Sequence, residues 1–173
     1  MTVIATAGHV DHGKSTFVNF LTKQETDRLP EEKKRGLTIN LGYTYFTYEN
    51  KTYSIVDVPG HKDYFKNTVS GFSNADVIFF IIDSTENWSE QSEEHFQALI
   101  ALKKRNFLFI YTKTDLLKGE IDKKILLTKI QAFQDINYKI LEFNKVKSNN
   151  KDFSKVIHEF IESCNFDKKN PSM

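Results

Sequence analysis

The sequence predicts an α/β fold with a mostly parallel central sheet flanked by helices. Apolar, strand-like runs alternate with amphipathic, helix-like segments along a chain of 173 residues, which is long enough for one compact domain with a core. Two of the runs, over residues 77–82 and 107–111, are apolar throughout, as expected of strands covered on both faces. We therefore expect one domain over residues 1–165, followed by a polar tail over 166–173.

The predicted elements follow in order along the chain. A β-branched run at 2–6 predicts the first strand, and apolar spacing predicts a helix over 14–21. Two strands at 43–48 and 52–57 are separated by Glu49-Asn50-Lys51, which indicates a hairpin. Beyond the hairpin we predict a strand at 77–82, a helix over 90–104, a strand at 107–111, a helix over 121–133, a strand at 138–143 and an amphipathic helix over 153–163.

Composition and charge exclude several classes of protein. The formal net charge is +1, so bulk charge gives no argument for a nucleic-acid or membrane partner. The single cysteine, Cys164, rules out an internal disulfide and fits a reducing compartment. The N-terminal stretch becomes polar too soon for a signal peptide, and no apolar run approaches the length of a membrane span. The expectation is a cytoplasmic protein with no membrane partner.

The strongest motif is AGHVDHGKST, which follows the first strand and opens the first helix. Its glycines let the backbone wrap a phosphate chain, while successive N–H groups and the helix start bind the anions. In the pattern G-x-x-x-x-G-K-[ST], Lys14 reaches the β- and γ-phosphates and the Ser15 hydroxyl binds Mg²⁺. The alternative, a chance glycine-rich turn, is disfavoured by the strand before it and the helix after it. The predicted nucleotide-binding residues here are Gly8, His9, Val10, Asp11, His12, Gly13, Lys14, Ser15 and Thr16.

A second motif, Asp57-Val58-Pro59-Gly60, ends the strand predicted at 52–57. An aspartate at this position can hold Mg²⁺ through water. Gly60 can offer its backbone N–H to a γ-phosphate and move when that phosphate leaves. A plain Asp-x-Pro-Gly turn is the alternative, and the presence of the first motif favours the nucleotide interpretation.

A third motif, Thr112-Lys113-Thr114-Asp115, follows the strand at 107–111. Asp115 can accept hydrogen bonds from the N1–H and the exocyclic amine of guanine, a donor pair that adenine lacks. Lys113 would lie along the base with its methylene stem. The alternative is the start of a helix with Asp115 as its N-cap.

A fourth motif is Arg35-Gly36-Leu37-Thr38-Ile39, after a charged stretch. A threonine in a mobile loop can close on Mg²⁺ and the γ-phosphate when triphosphate is bound. Taken alone, this motif is a weak signal and indicates a turn that leads into a strand.

These four motifs, in this order and at these separations, resemble the GTP-binding domain (G domain) of the translational GTPases, the elongation factor Tu superfamily. G-H-V-D-H-G-K-[ST] is the form that the phosphate loop takes there, and R-G-[LI]-T-I and D-x-P-G-H are the two switch signatures. The resemblance runs from about residue 3 to residue 115. Residues 26–42 are very similar to the corresponding segment of the bacterial selenocysteine-specific elongation factors. Thr112, where most of the superfamily has Asn, also occurs in that branch.

The resemblance implies a P-loop NTPase of the Ras-like type over residues 1–165, which binds GTP and GDP and hydrolyses GTP to GDP and phosphate. It implies ribosome and tRNA as partners, through domains absent from this chain, and delivery of selenocysteinyl-tRNA. A monovalent cation beside Asp11 is a further implied cofactor. The implied catalytic residues are Lys14, Thr38 and His61, with His61 orienting the attacking water once a ribosome engages; the Mg²⁺ ligands are Ser15, Thr38 and Asp57; the remaining nucleotide contacts are Gly60, Thr112, Lys113 and Asp115.

Two departures from the family keep other functions open. Residues 143–150 read FNKVKSNN and lack the usual Ser-Ala of the guanine loop, so that Ser148 or Asn144 could replace it. The chain also lacks the β-barrel domains that hold aminoacyl-tRNA. The alternatives are a stand-alone GTPase switch that acts through a protein partner, and a paralogue that binds GTP but hardly hydrolyses it. No arginine finger is evident, so slow intrinsic turnover is expected; Arg28 or Arg35 could serve as one, and the sequence gives no basis for choosing between them.

Several conspicuous residues are assigned to structure instead of chemistry. His9 and His12 suggest a metal site, but the loop backbone must hold phosphate there and Ser15 already serves Mg²⁺, so a structural role is favoured. Asp83 is expected to end a strand, and Trp88 and Phe96 are expected to pack in the core. Cys164 is expected to be a small, at least half-buried side chain, since no partner set indicates a nucleophile.

Overall fold

Six strands form one sheet in the order β2-β3-β1-β4-β5-β6. The computed structural model describes residues 1–23, 40–164 and 166. β2 runs antiparallel to β3, and every other neighbouring pair is parallel. The predicted α/β class with a mostly parallel sheet is confirmed. The strands are β1 (Thr2–Ala7), β2 (Gly42–Tyr48), β3 (Lys51–Asp57), β4 (Val77–Asp83), β5 (Asn106–Thr112) and β6 (Asn137–Glu142).

Helices cover both faces of the sheet. They are α1 (Lys14–Thr22), α2 (Phe65–Ser73), α3 (Glu90–Ala101), α4 (Lys124–Gln131) and α5 (Asn150–Ser163), with a single 3₁₀ turn, Lys62–Tyr64, before α2. Phe17 of α1 and Ile157 of α5 belong to the core on one face, whereas Phe72 of α2, Phe96 of α3 and Leu126 of α4 belong to the core on the other. None of the helices in the described ranges has the length and apolar character needed to cross a bilayer.

The hairpin and the end of α3 differ in detail from the predictions, and local backbone conformation explains both. The hairpin turn is two residues long, with Glu49 and Asn50 at φ 47° and 63°, so Lys51 already belongs to β3. α3 stops at Ala101, three residues before the predicted end. Lys103 has φ 59°, its N–H donates to the Ile100 carbonyl, and the Lys104 N–H donates to the Leu99 carbonyl. This is a Schellman ending with lysine where glycine is usual.

Helix α2 is absent from the sequence-based prediction. It is short, and its packing is tertiary: a Cβ built on Gly71 would lie 2.6 Å from Val58 Cγ1, so the helix backbone lies directly on the segment after β3. The Thr68 hydroxyl donates to the Pro59 carbonyl at 2.7 Å and fixes the helix to the same segment. α5 begins three residues earlier than predicted because the Asn149 side chain caps it, accepting the Lys151 N–H at 2.8 Å.

The loops that follow β1, β3 and β5 leave the same edge of the sheet, because these strands are parallel. In open α/β sheets this carboxyl edge is where ligands bind. Three of the four motifs lie at this edge. The fourth, with Thr38, and the charged stretch with Arg28 and Arg35 lie outside the described residues, as does nearly all of the predicted tail.

Candidate functional site

The loop after β1 wraps back on itself and enters α1 at Lys14. Gly8 has φ +130°, and a Cβ built on it would lie 2.3 Å from the Ile81 carbonyl oxygen, so only glycine fits against β4 here. Gly13, at φ +95°, is the last residue before the helix. The two glycines of the motif therefore supply the close approach and the left-handed turn that the loop requires.

Lys14 lies inside this loop. Its side chain is buried, and Nζ donates to the carbonyls of Gly8 at 3.1 Å and His9 at 3.0 Å. Gly60 lies against the same place, since a Cβ built on it would be 2.1 Å from Lys14 Nζ and 2.6 Å from Val10 N. The first and second motifs thus meet at the lysine ammonium group.

Ser15 and Asp57 converge beside the lysine. The Ser15 hydroxyl donates to Asp57 Oδ2 at 2.6 Å, and the Thr6 hydroxyl donates to Asp57 Oδ1 at 2.8 Å. Thr6 also accepts the Val58 N–H, and Asp57 is fully buried. A hydroxyl and a carboxylate are ligands of the kind Mg²⁺ takes when substrate phosphates and waters complete its shell.

The loop histidines have structural contacts. His12 is fully buried, and its Nε2 lies 3.1 Å from Glu86 Oε2 in the turn after β4. Burial lowers the pKa of His12 to about 4, although the hydrogen bond to Glu86 opposes this shift. The His9 ring packs edge-on against it, 5.0 Å between centroids, and burial, followed by the charge of Lys14, lowers the pKa of His9. Both rings are therefore neutral at pH 7; His12 links the loop to Glu86, and His9 packs on His12 within the loop.

The third motif, residues 112–115, donates hydrogen bonds to the backbone of the phosphate loop. The Thr112 hydroxyl donates to the His12 carbonyl at 2.5 Å, and Lys113 Nζ donates to the Asp11 carbonyl at 2.7 Å. Lys113 also pairs with the buried Asp83 carboxylate at 2.7 Å, which ends β4 as expected. Threonine in place of asparagine keeps a direct link from this motif to the loop.

Asp115 is exposed, in a turn after β5. No helix begins there, because α4 starts at Lys124, so the alternative that makes Asp115 a helix N-cap is wrong. Its carboxylate is accessible to a ligand at the sheet edge.

The loop after β6 is folded by the two residues considered as replacements for Ser-Ala. Asn144 Oδ1 accepts the N–H groups of Val146 and Lys147, at 2.9 and 3.1 Å, and Ser148 Oγ accepts the Asn144 N–H at 2.9 Å. The Thr114 hydroxyl donates to the Phe143 carbonyl at 3.1 Å, which joins this loop to the third motif.

The His61 side chain caps the 3₁₀ turn that follows it. It precedes the 3₁₀ turn, and its Nδ1 accepts the Asp63 N–H at 3.2 Å, with the Tyr64 ring 6.0 Å away. Sequence reasoning therefore names the residue but not this conformation. Trp88 and Phe96 pack as expected, with Trp88 stacked on Phe80 at 5.2 Å and Phe96 edge-on to it. Cys164 is buried.

Three residues of the site were missed from the sequence: Thr6, Glu86 and His95. Thr6 orients Asp57, Glu86 pairs with His12, and His95 Nδ1 accepts the Gly8 N–H at 2.9 Å. For His95 a signal existed, since it lies among the buried residues of α3 with Ser92, Phe96 and Leu99. A polar ring in an apolar helical stripe indicates a specific partner.

Comparisons with known proteins agree with this geometry. The model of the family described as elongation factor Tu GTP binding domain matches residues 1–166. The selenocysteine-specific elongation factor of Haemophilus influenzae is 41% identical over 113 residues, 65% of this chain and 18% of that protein. The one of Desulfomicrobium baculatum is 40% identical over 119 residues, 68% of this chain and 19% of that protein. The chain thus aligns with about a fifth of these relatives' length.

A solved structure is similar as well. The crystal structure of a bacterial selenocysteine-specific elongation factor superposes with a TM-score of 0.81 and 32% sequence identity, covering 95% of this chain and 30% of that one. The six-stranded fold and the loops around its carboxyl edge are therefore those of a known class of domain.

Proposed function

Since the chain belongs to the family of elongation factor Tu GTP-binding domains, we propose that it binds GTP and GDP at the carboxyl edge of the sheet and hydrolyses GTP. One observation carries the proposal: the start of α1 meets the end of β3 and the segment after it, through the hydrogen bond from Ser15 to Asp57 and the close approach of Gly60 to Lys14. An ammonium group, a hydroxyl, a carboxylate and a glycine backbone are the groups that hold a triphosphate and its Mg²⁺.

Each residue has a distinct role in the proposed reaction. The loop N–H groups and Lys14 bind the β- and γ-phosphates and stabilise the charge that develops on them. Ser15 and Thr38 would hold Mg²⁺, and Asp57, which Thr6 fixes, would support it through water. The metal neutralises phosphate charge when bound. Gly60 donates its N–H to the γ-phosphate.

His61 orients the water that attacks the γ-phosphate. In the conformation observed, its Nδ1 accepts the Asp63 N–H, which leaves Nε2 as the nitrogen that can contact the water. Intrinsic hydrolysis should be slow, and a partner should accelerate it by placing this nitrogen against the water. In a ribosome-stimulated turnover assay, His61→Ala should lose the stimulation while its GDP affinity stays that of the wild type. Equal stimulated rates would contradict this role.

The base is read by the third motif. Asp115 accepts the N1–H and the amine of guanine, and Lys113 lies along the ring. The hydrogen bonds of Thr112 and Lys113 to the phosphate-loop carbonyls fix this motif relative to that loop. Asp115→Asn should weaken GDP binding at least about ten-fold and favour xanthine nucleotides, because the amide offers a donor where the carboxylate accepted. Titration calorimetry with both nucleotides measures this. Asp122→Asn, the same change at another exposed aspartate, should leave the preference unchanged; a preference unchanged in Asp115→Asn would overturn the assignment.

The partners are those of a longer polypeptide. Because the aligned relatives are about five times as long as the part that this chain matches, we propose that the domain acts within a translation factor of the selenocysteine-specific kind. Joined to tRNA-binding domains, it would deliver selenocysteinyl-tRNA to the ribosome and release it on hydrolysis. Intact mass of the native protein tests this: a mass near 20.1 kDa would favour a stand-alone switch acting through a protein partner instead.

A further inference from the structure

We infer that His95 is a positioning residue that couples the phosphate loop to helix α2 and thereby sets how long a nucleotide is retained. The inference rests on the proposed function and concerns a residue outside all four sequence motifs. Two sets of contacts carry it, one made by the acceptor nitrogen of the ring and one made by the face and edge of the ring.

The acceptor nitrogen holds the first residue of the loop. The Gly8 N–H donates to His95 Nδ1 at 2.9 Å, and the ring is 2% exposed. Gly8 cannot move toward β4, where the Ile81 carbonyl already excludes even a methyl group. A buried N–H without an acceptor is costly, so the imidazole keeps this end of the loop in place.

A neutral acceptor is the appropriate choice beside bound phosphate. Burial, followed by the charge of Lys14, lowers the pKa of His95 to about 3, so Nδ1 carries no proton at pH 7. A carboxylate could accept the same bond but would place negative charge next to the phosphates. Imidazole accepts the bond without that repulsion.

The ring itself packs on the helix that follows the second motif. Its centroid lies 5.6 Å from that of Phe72, edge to face, and 6.3 Å from that of Phe65. The same helix is fastened to Pro59 through Thr68, next to Gly60 and the lysine. α2 is therefore linked to the first half of the phosphate loop by two routes, through Pro59 and Gly60 to His9 and Val10, and through His95 to Gly8, so that a displacement of α2 is transmitted to Gly8.

Two substitutions distinguish the effect of the hydrogen bond to Gly8 from the effect of the ring packing on α2. His95→Phe keeps a ring against Phe65 and Phe72 but leaves the Gly8 N–H unpaired. His95→Asn removes the ring but keeps an oxygen at the position of Nδ1. We expect GDP to dissociate about ten-fold or more faster from the Phe variant, and faster by a clearly smaller factor from the Asn variant, which keeps the acceptor for the Gly8 N–H and loses the ring contacts with α2. A residue that only fills the core predicts the reverse order, because the Asn variant has the larger cavity.

The measurement is release of a fluorescent GDP from the whole chain in a chase experiment, with thermal unfolding of each variant as the control for folding. Equal release from wild type and the Phe variant, or faster release from the Asn variant than from the Phe variant, would overturn the inference. Failure of the wild type to bind GDP would instead overturn the proposed function. If the Phe variant does not fold, a scalar coupling between the Gly8 amide nitrogen and His95 Nδ1 in the wild type supports the bond, and its absence rejects it.

Discussion

A side chain at Gly60 would collide with the backbone of the phosphate loop. Its backbone φ is ordinary, so the objection to a side chain is purely steric: Val10 N and His9 C lie 2.6 and 2.9 Å from a built Cβ. Those two atoms belong to the phosphate-loop backbone, which cannot yield as a flexible side chain can. The second motif therefore needs glycine for contact with the loop as well as for any movement it makes.

Gly60→Ala should accordingly weaken GDP binding by roughly ten-fold, because the loop or the segment after β3 must shift by a few tenths of an ångström or more. Titration calorimetry measures the change. Gly119→Ala is the matched control: φ is +97° there, but nothing lies within 4 Å of a built Cβ. That variant should lose stability and keep its GDP affinity. Equal GDP affinity in wild type and Gly60→Ala would show that the contact is unimportant.

At the scale of the element, α1 is held at both ends by groups distant in sequence. Its first residue, Lys14, lies in the phosphate loop, and its last turn is capped by Asn150, whose Nδ2 donates to the carbonyls of Phe20 and Leu21 at 2.8 and 2.7 Å. Those carbonyls have no partner within the helix. α5 therefore fixes the helix that presents Lys14 and Ser15.

Asn150→Ala should lower the free energy of unfolding by about 1–2 kcal/mol, since two hydrogen bonds to helix-terminal carbonyls are lost. Urea unfolding measures the loss, and amide exchange should rise over the last turn of α1. Asn149→Ala, which removes the cap of α5 instead, should cost a similar amount without raising exchange in α1. Protection in α1 that is unchanged by Asn150→Ala would contradict the assignment.

The elements also show how far sequence patterns determine this fold. The buried strands, the hairpin and the helix after the phosphate loop follow from local periodicity and turn chemistry, and all were predicted. α2 was not, because it depends on Gly71 packing against Val58 and on Thr68 bonding to Pro59, and hydrophobic periodicity does not reveal such contacts. The true end of α3 was hidden because lysine occupies the left-handed position. In the site, local motifs identify Lys14, whereas His95 lies 87 residues from its partner Gly8.

In the whole molecule, the buried histidines are concentrated at one edge of the sheet. Of five histidines, His12 and His95 are fully or almost fully buried, one in the phosphate loop and one against it. Each gives up proton binding on folding, since burial lowers its pKa from 6.5 to about 4 and about 3 respectively. The fold therefore couples the protonation of this edge to global stability.

The sign of this coupling gives a prediction for acid conditions. Below pH 6.5 the two histidines are protonated in the unfolded chain but remain neutral in the folded protein. The free energy of unfolding is therefore highest above pH 6.5. It falls as the pH drops toward 4 for His12 and toward 3 for His95. For each histidine, the slope of the free energy of unfolding against pH approaches about 1.4 kcal/mol per pH unit. Urea unfolding at pH 7, 6 and 5 should show this decline in the free energy of unfolding. His12→Gln and His95→Asn should each make the decline less steep, because an amide takes up no proton in this range. In the double variant the two effects should add. A decline of the same steepness in the double variant would mean that other groups cause it, and that these two rings are protonated in the folded protein as readily as in the unfolded chain.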